Sequence, residues 1–292
     1  MTIIPENLMI HSPKDELIEL MEKNELSENI LAEIPSDFHK IFVVENEIGR
    51  FLKYDETYQA GYISHKDYQG NLPYINYFFI PYLMNKDIEN ILLVGFGSGI
   101  MVGQYEKIFE KLKNIDVVDI EENIFEIAKD YFNFQSSEKI NFNLQDAIIY
   151  LKTTKKKYDL IVVDVAGDEG IDERFCDFEY LNLINSHLTK KGIFVSNMPS
   201  SRDIFNKKNK FALNLIKDYK KNFKYVDVYS GETSNKIFYK TFFNMDEIVL
   251  DITNLILISS NEKYEISSSF EKLDEIKIKI NDYLRDIISF NF

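Results

Sequence analysis

Glycine recurs at Gly95, Gly97 and Gly99 directly after the apolar run Ile91 to Val94, with Ser98 between the last two. Glycines between a strand and a helix let the backbone turn tightly and lie against a ligand without side-chain obstruction. Asp119 ends the next apolar run, about twenty positions on, where a carboxylate can accept both ribose hydroxyls of an adenosine ligand. Asp146 closes Asn141 to Gln145 and is placed to accept from an adenine amino group. It is equally suited to cap a helix opening at Ala147, and the two roles are compatible. Asp164 ends the very apolar run Leu160 to Val163, before a glycine-containing segment, Val165 to Gly170, that reads as a loop over a crevice. A carboxylate there can orient or deprotonate a nucleophile. Asp168, inside that loop, is read either as a second substrate-facing acid or as an ordinary solvated one.

These residues need a scaffold that brings several strand ends together. From Asn90 onward, apolar segments Ile91–Val94, Ile115–Asp119, Ile140–Leu144, Leu160–Asp164 and Ile193–Ser196 alternate with helical stretches near Met101–Leu112, Ile124–Phe132, Ala147–Lys152 and Tyr180–Leu188. Such alternation predicts an α/β fold with a Rossmann-like, doubly wound parallel sheet, because right-handed crossovers cover both faces and leave the strands apolar throughout. A helix over Phe211–Tyr219 leads to β-prone segments at Tyr225–Tyr229, Lys236–Phe243 and Leu255–Ser259, from which the antiparallel edge of a seven-stranded, mostly parallel sheet is expected. A final helix is expected over Phe270–Ile288.

Ahead of this region, Ser12-Pro13-Lys14-Asp15-Glu16 has the order of a helix start, followed by the apolar Leu17, Ile18, Leu20 and Met21. Short β-prone runs between Lys40 and Tyr62 predict a small antiparallel meander. The apolar stretch Tyr74–Met84 reads as a helix that Pro81 bends or ends. The division expected is a helical extension over 1–38, a β-rich cap over 39–72 and a Rossmann-like catalytic domain over 73–292.

With 292 residues, 45% of them apolar, the chain can bury a sizeable core. A formal charge of −14 argues against a nucleic-acid partner, which needs a positive field. The single cysteine, Cys176, excludes an internal disulfide, and a reducing cytoplasm is the expected location. No apolar run approaches the roughly twenty residues that cross a bilayer, so neither membrane nor export is expected. The histidines, His11, His39, His65 and His187, show no ligand spacing, and no metal is expected.

Taken together, Gly95 to Gly99, Val117-Val118-Asp119-Ile120-Glu121, Gln145-Asp146, Tyr158 to Asp164 and Gly192 to Asn197 resemble successive blocks of spermidine synthases and related polyamine aminopropyltransferases, within the class I S-adenosylmethionine-dependent methyltransferase superfamily. Gly49-Arg50-Phe51-Leu52 followed by Tyr58-Gln59 is similar to that family's β-rich cap. The resemblance implies that Gln59, Gly95, Gly97, Ser98, Gly99 and Ile120 belong to the donor site, that Asp119 holds ribose, and that Asp146 and Ala147 bracket adenine. It implies Asp164 as catalytic acid beside a substrate amine, with Tyr74 as the family's active-site tyrosine and Asp168 as a substrate-side acid. Tyr68 competes with Tyr74 for that match, and packing on an apolar helix is an equal account of Tyr74.

Two departures matter. Ser98 stands where the family's glycine loop has an aspartate, and the second acid of the gate is displaced by one residue, to Asp168. A serine lacks the charge that would pair with the terminal amine of decarboxylated S-adenosylmethionine, which leaves intact S-adenosylmethionine open as donor. Aminopropyl transfer is the reading the resemblance implies. Methyl transfer, amino-carboxypropyl transfer and a non-catalytic nucleotide-binding role are the alternatives, and the family's assemblies imply a homodimer or homotetramer.

Overall fold

The computed structural model describes residues 27–55, 57–65, 68–70, 72–165, 173–200, 217–230, 253–267 and 269–275. The cap is a five-stranded antiparallel meander in sequence order: β1 (Asn29–Pro35), β2 (Lys40–Asn46), β3 (Gly49–Tyr54), β4 (Thr57–His65) and β5 (Tyr68–Gly70). The sheet therefore starts earlier than the sequence predicts, since β1 falls inside the segment assigned to a helical extension. Leu31, Ala32 and Glu33 carry no strong strand preference, and it is the free edge of β2, pairing from Asn29↔Glu45 to Pro35↔Lys40, that makes this segment a strand. The helix expected near 12–21 lies outside the described residues.

A 3-10 turn over Pro73–Phe79 leads into α1 (Ile80–Met84), where a single helix is predicted. Pro81 starts the α segment instead of ending a helix. It has no N–H to bond the Tyr77 carbonyl, and the Ile80 N–H makes that bond instead, one residue tighter.

The larger sheet runs β6 (Asn90–Val94), α2 (Ile100–Ile108), β7 (Asn114–Asp119), α3 (Ile124–Phe132), β8 (Ile140–Leu144), α4 (Ala147–Thr153), β9 (Tyr158–Val163), α5 (Phe178–His187) and β10 (Leu188–Ser200). A helix over 217–222 precedes β11 (Tyr225–Ser230), and β12 (Thr253–Ser260) precedes α6 (Glu271–Glu275). The spatial order is β11-β12-β10-β9-β6-β7-β8, with β12 antiparallel to both its neighbours and the rest parallel. The predicted strand at 236–243 and most of the final helix lie outside the described residues.

Side-chain alternation shows why the parallel strands read as continuous apolar runs. Ile91, Leu93, Leu160 and Val162 enter one core, while Leu92, Val94, Ile161 and Val163 enter the other. The first core also contains Ile41, Val43 and Phe51 of the cap, so cap and sheet share one apolar interior. No helix among the described residues is long and apolar enough to cross a membrane.

Candidate active site

The chain leaves β6 in one direction toward β7 and β8, and returns on the other side of β6 with β9 and β10. The crevice at such a reversal, beyond the carboxyl ends of the strands, is where doubly wound sheets bind ligands. Gly95 and Asp164 follow the two strands that flank the reversal, and their backbones are bound to it: Asp164 N–H donates to Val94 O at 2.9 Å and Gly95 N–H to Val118 O at 2.9 Å. Gly95 has φ +90°, and a Cβ there would stand 2.2 Å from the Asp164 carbonyl oxygen. Gly97, at φ +55°, would place a Cβ 3.2 Å from the Ala60 methyl, so the cap meets the loop at its middle. Ser98 is buried, and Gly99 leads into α2.

Asp119 is anchored rather than free. Its Oδ2 accepts the Phe96 N–H at 2.7 Å and its Oδ1 the Glu121 N–H at 2.9 Å, tying the end of β7 to the glycine loop. Burial raises its pKa, those backbone N–H groups pull it down, and the Glu121 charge adds to the rise. Ile120, next in the chain, is half exposed despite being apolar. The Phe96 ring, buried among Phe125, Phe134 and Phe142 at centroid distances of 5.0–5.8 Å, anchors the loop from below; sequence reading passed over it.

Asp146 does cap α4, its Oδ1 accepting the Ile148 and Ile149 N–H groups at 2.8 and 3.1 Å. Its Oδ2 accepts from Arg174 Nη1 at 3.1 Å, a partner the sequence did not announce. Ala147 is buried just behind it. Gln59 sits on β4 at a bulge, since Tyr58 and Ala60 oppose the adjacent residues Lys53 and Leu52. The extra residue is partly exposed and adjoins the alanine that touches Gly97.

Asp164 is the most constrained acid. Its Oδ2 accepts the Tyr74 hydroxyl at 3.2 Å and its Oδ1 accepts Asn197 Nδ2 at 2.9 Å. Burial pushes its pKa up to about 6, against the lowering effect of the Asn197 and Tyr74 hydrogen bonds. Tyr74 also packs edge-on against Phe78, with centroids 5.9 Å apart, so packing and contact with the acid coexist. Asn197 is a site residue to which sequence reading gave no role. Register would have found it, because Ser196 pairs with Val163 and the next residues, Asn197 and Asp164, fall side by side. Asp168 lies outside the described residues, as does the side chain of Tyr68. Among the described residues no group of three or more His, Cys, Asp or Glu is arranged to hold a metal.

Residues 78–265 match the spermine/spermidine synthase domain. The chain belongs to the spermine/spermidine synthase family, and is a transferase of that family. A polyamine aminopropyltransferase of Alkaliphilus metalliredigens is 26% identical over 205 residues, 68% of each chain. One of Vibrio vulnificus is 27% identical over 184 residues, 60% of this chain and 61% of the relative. In fold the chain is similar to a probable spermidine synthase of Corynebacterium glutamicum, with a TM-score of 0.65, 14% identity and coverage of 85% and 86%. In this spermine/spermidine synthase family member Asp119, Asp146 and Asp164 stand at or just beyond the ends of β7, β8 and β9, and the loop carries Phe96 and Ser98 among the glycines.

Proposed function

We propose that the chain transfers an aminopropyl group from decarboxylated S-adenosylmethionine to a small amine. The observation that carries this is the partly buried Asp164 carboxylate, held by Tyr74 and Asn197 immediately beside the glycine loop. In this reading Gly95, Gly97, Ser98 and Gly99 give the donor a close approach, Asp119 accepts the ribose hydroxyls, Asp146 faces adenine with Ala147 and Ile120 as apolar neighbours, and Gln59 closes the site from the cap.

The donor sulfonium supplies the electrophilic carbon. Asp164 attracts the substrate ammonium, and two fixed donors keep its carboxylate aimed. As the amine loses a proton to Asp164 or through it to water, its lone pair forms the new N–C bond. The S–C bond breaks with its electron pair going to sulfur, and methylthioadenosine leaves as a neutral thioether. The amine gains the propylamine chain. The acidic surroundings favour a cationic acceptor, with Asp168 as a second anchor.

Ser98 supports a second reading, transfer from intact S-adenosylmethionine. A buried hydroxyl offers a hydrogen bond but no negative charge to the donor's terminal amine, so exclusion of a carboxylate-bearing donor is weaker. Incubation of the protein with each donor and a diamine, followed by mass analysis, separates the outcomes. Methylthioadenosine from the decarboxylated donor supports aminopropyl transfer. Methylthioadenosine from the intact donor means amino-carboxypropyl transfer, S-adenosylhomocysteine means methyl transfer, and no turnover with either removes the enzymatic reading.

A further inference from the structure

Between β9 and α5 the 3-10 turn Glu173–Phe175 brings Arg174 to Asp146, Nη1 to Oδ2 at 3.1 Å. In the sheet β9 and β8 are not neighbours, since β6 and β7 stand between them, leading into the glycine loop and ending in Asp119. A contact between the segment after β9 and the residue that caps α4 after β8 therefore spans the carboxyl edge at which a doubly wound sheet takes its ligand.

Both partners are fixed from behind. Phe175, next to the arginine, is buried in the same core as Ala147, Tyr150 and Leu151 of α4, and its ring meets Tyr180 of α5 edge-on with centroids 5.1 Å apart. The Arg174 guanidinium carbon lies 6.0 Å from the centroid of that ring. Asp146 gives its Oδ1 to the Ile148 and Ile149 N–H groups, which leaves Oδ2 facing the arginine. The Arg174 side chain is 60% exposed, and a guanidinium carries five N–H donors, so one bond to Asp146 does not exhaust it.

An acceptor and a donor thus stand side by side at one point of the crevice, a carboxylate oxygen and a guanidinium N–H. Adenine presents the complementary pair along one edge, the N6 amino donor beside the N7 acceptor. We infer that Arg174 is a further specificity residue of the donor site, donating to N7 of an adenine whose amino group Asp146 accepts. The inference rests on the reading of Asp146 as the residue that faces adenine. Asp146 alone accepts from any purine with a 6-amino group and is indifferent to the atom at position 7, and the side chains of Ala147 and Ile120 offer no hydrogen bond. The planar guanidinium, held by Asp146 at one N–H, aims its other donors in a fixed direction and so reads the ring nitrogen.

The test is calorimetric titration of wild-type protein and Arg174→Met with 5′-methylthioadenosine and with its 7-deaza analogue, in which a C–H replaces N7 and the amino group is kept. Methionine retains an unbranched stem and loses every donor. Wild type is expected to bind the 7-deaza analogue about tenfold more weakly than methylthioadenosine, the scale of a hydrogen bond from a charged group. Arg174→Met should bind methylthioadenosine about tenfold more weakly than wild type does and bring the ratio of the two affinities to within about twofold of one. Any effect of the substitution on Asp146 itself reaches both ligands through the same amino group and cancels in that ratio. Equal binding of the two ligands by wild type, or a ratio in Arg174→Met that stays at the wild-type value, overturns the inference and leaves the reading of Asp146 standing. Failure of the wild-type protein to bind methylthioadenosine at all overturns that reading and the inference with it.

Discussion

The carbonyl oxygen of Asp164 occupies the space where Gly95 would carry a side chain, 2.2 Å from an ideal Cβ. The glycine loop after β6 and the end of β9 are thus in backbone contact, and in the proposed function this closeness lets one crevice hold both donor and acid.

Gly95→Ala should therefore disturb fold and site together. Alanine must tolerate φ +90° and displace backbone rather than a mobile side chain. A loss of about 2–4 kcal/mol in denaturant unfolding is expected. A variant within about 0.5 kcal/mol of wild type would mean that the loop and β9 can separate freely.

Asp164→Asn keeps the shape and an oxygen acceptor but abolishes the charge. Turnover should fall by about 100-fold or more, with donor affinity nearly unchanged, as expected for lost proton acceptance. The assay uses whichever donor supports wild-type turnover. Near-normal turnover would remove Asp164 from the mechanism.

The elevated pKa of Asp164, about 6 against 3.8, has a stability consequence with a definite sign. The folded protein binds this proton more tightly than the unfolded chain, so the contribution to stability declines as pH rises from about 4 through 6 and stays low above. Asp164→Asn, which never ionises, should be more stable than wild type at pH 8 by on the order of 2–3 kcal/mol and show little gain at pH 4. Turnover runs the other way, rising as the carboxylate forms through about pH 6. Tyr74→Phe deletes a hydrogen bond that favours the ionised form and should move that rise to higher pH. Thermal melts and pH–rate profiles read the two effects, and a Tyr74→Phe profile displaced to lower pH would contradict the assignment.

Asp146 serves a helix and, in the proposed function, a ligand, and two substitutions separate these duties. Asp146→Ala should lose about 1 kcal/mol of stability with the α4 cap, as well as nucleoside affinity. Asp146→Ser retains a capping oxygen and should recover most of the stability but not the affinity. If serine restores both, measured by melting and by methylthioadenosine titration, Asp146 is a cap only.

Much of the scaffold was legible because its signals are local. Ile91–Val94 and Leu160–Val163 are too short and too apolar for anything but buried strands between helical stretches, and glycines after the first had to mark a close approach. Asp119, Asp146 and Asp164 could be placed at strand ends because a strand's end is visible where its apolar run stops. β1 was not legible, since an edge strand is defined by the neighbour whose backbone it completes. Nor was the junction at Ile80, where a missing proline N–H selects a tighter turn.

The sequence by itself determined the strand–helix alternation, the glycine loop and the three acids, all of which depend on residue type and on spacing along the chain. Only the tertiary structure decided which partners each acid has. Asn197 meets Asp164 through the register of β9 with β10, Arg174 meets Asp146 across 28 positions of chain, and the Phe96 N–H meets Asp119 across 23. Those pairings follow from how strands order themselves, which depends on burying both faces of the sheet at once and leaves no mark in the spacing of any one segment.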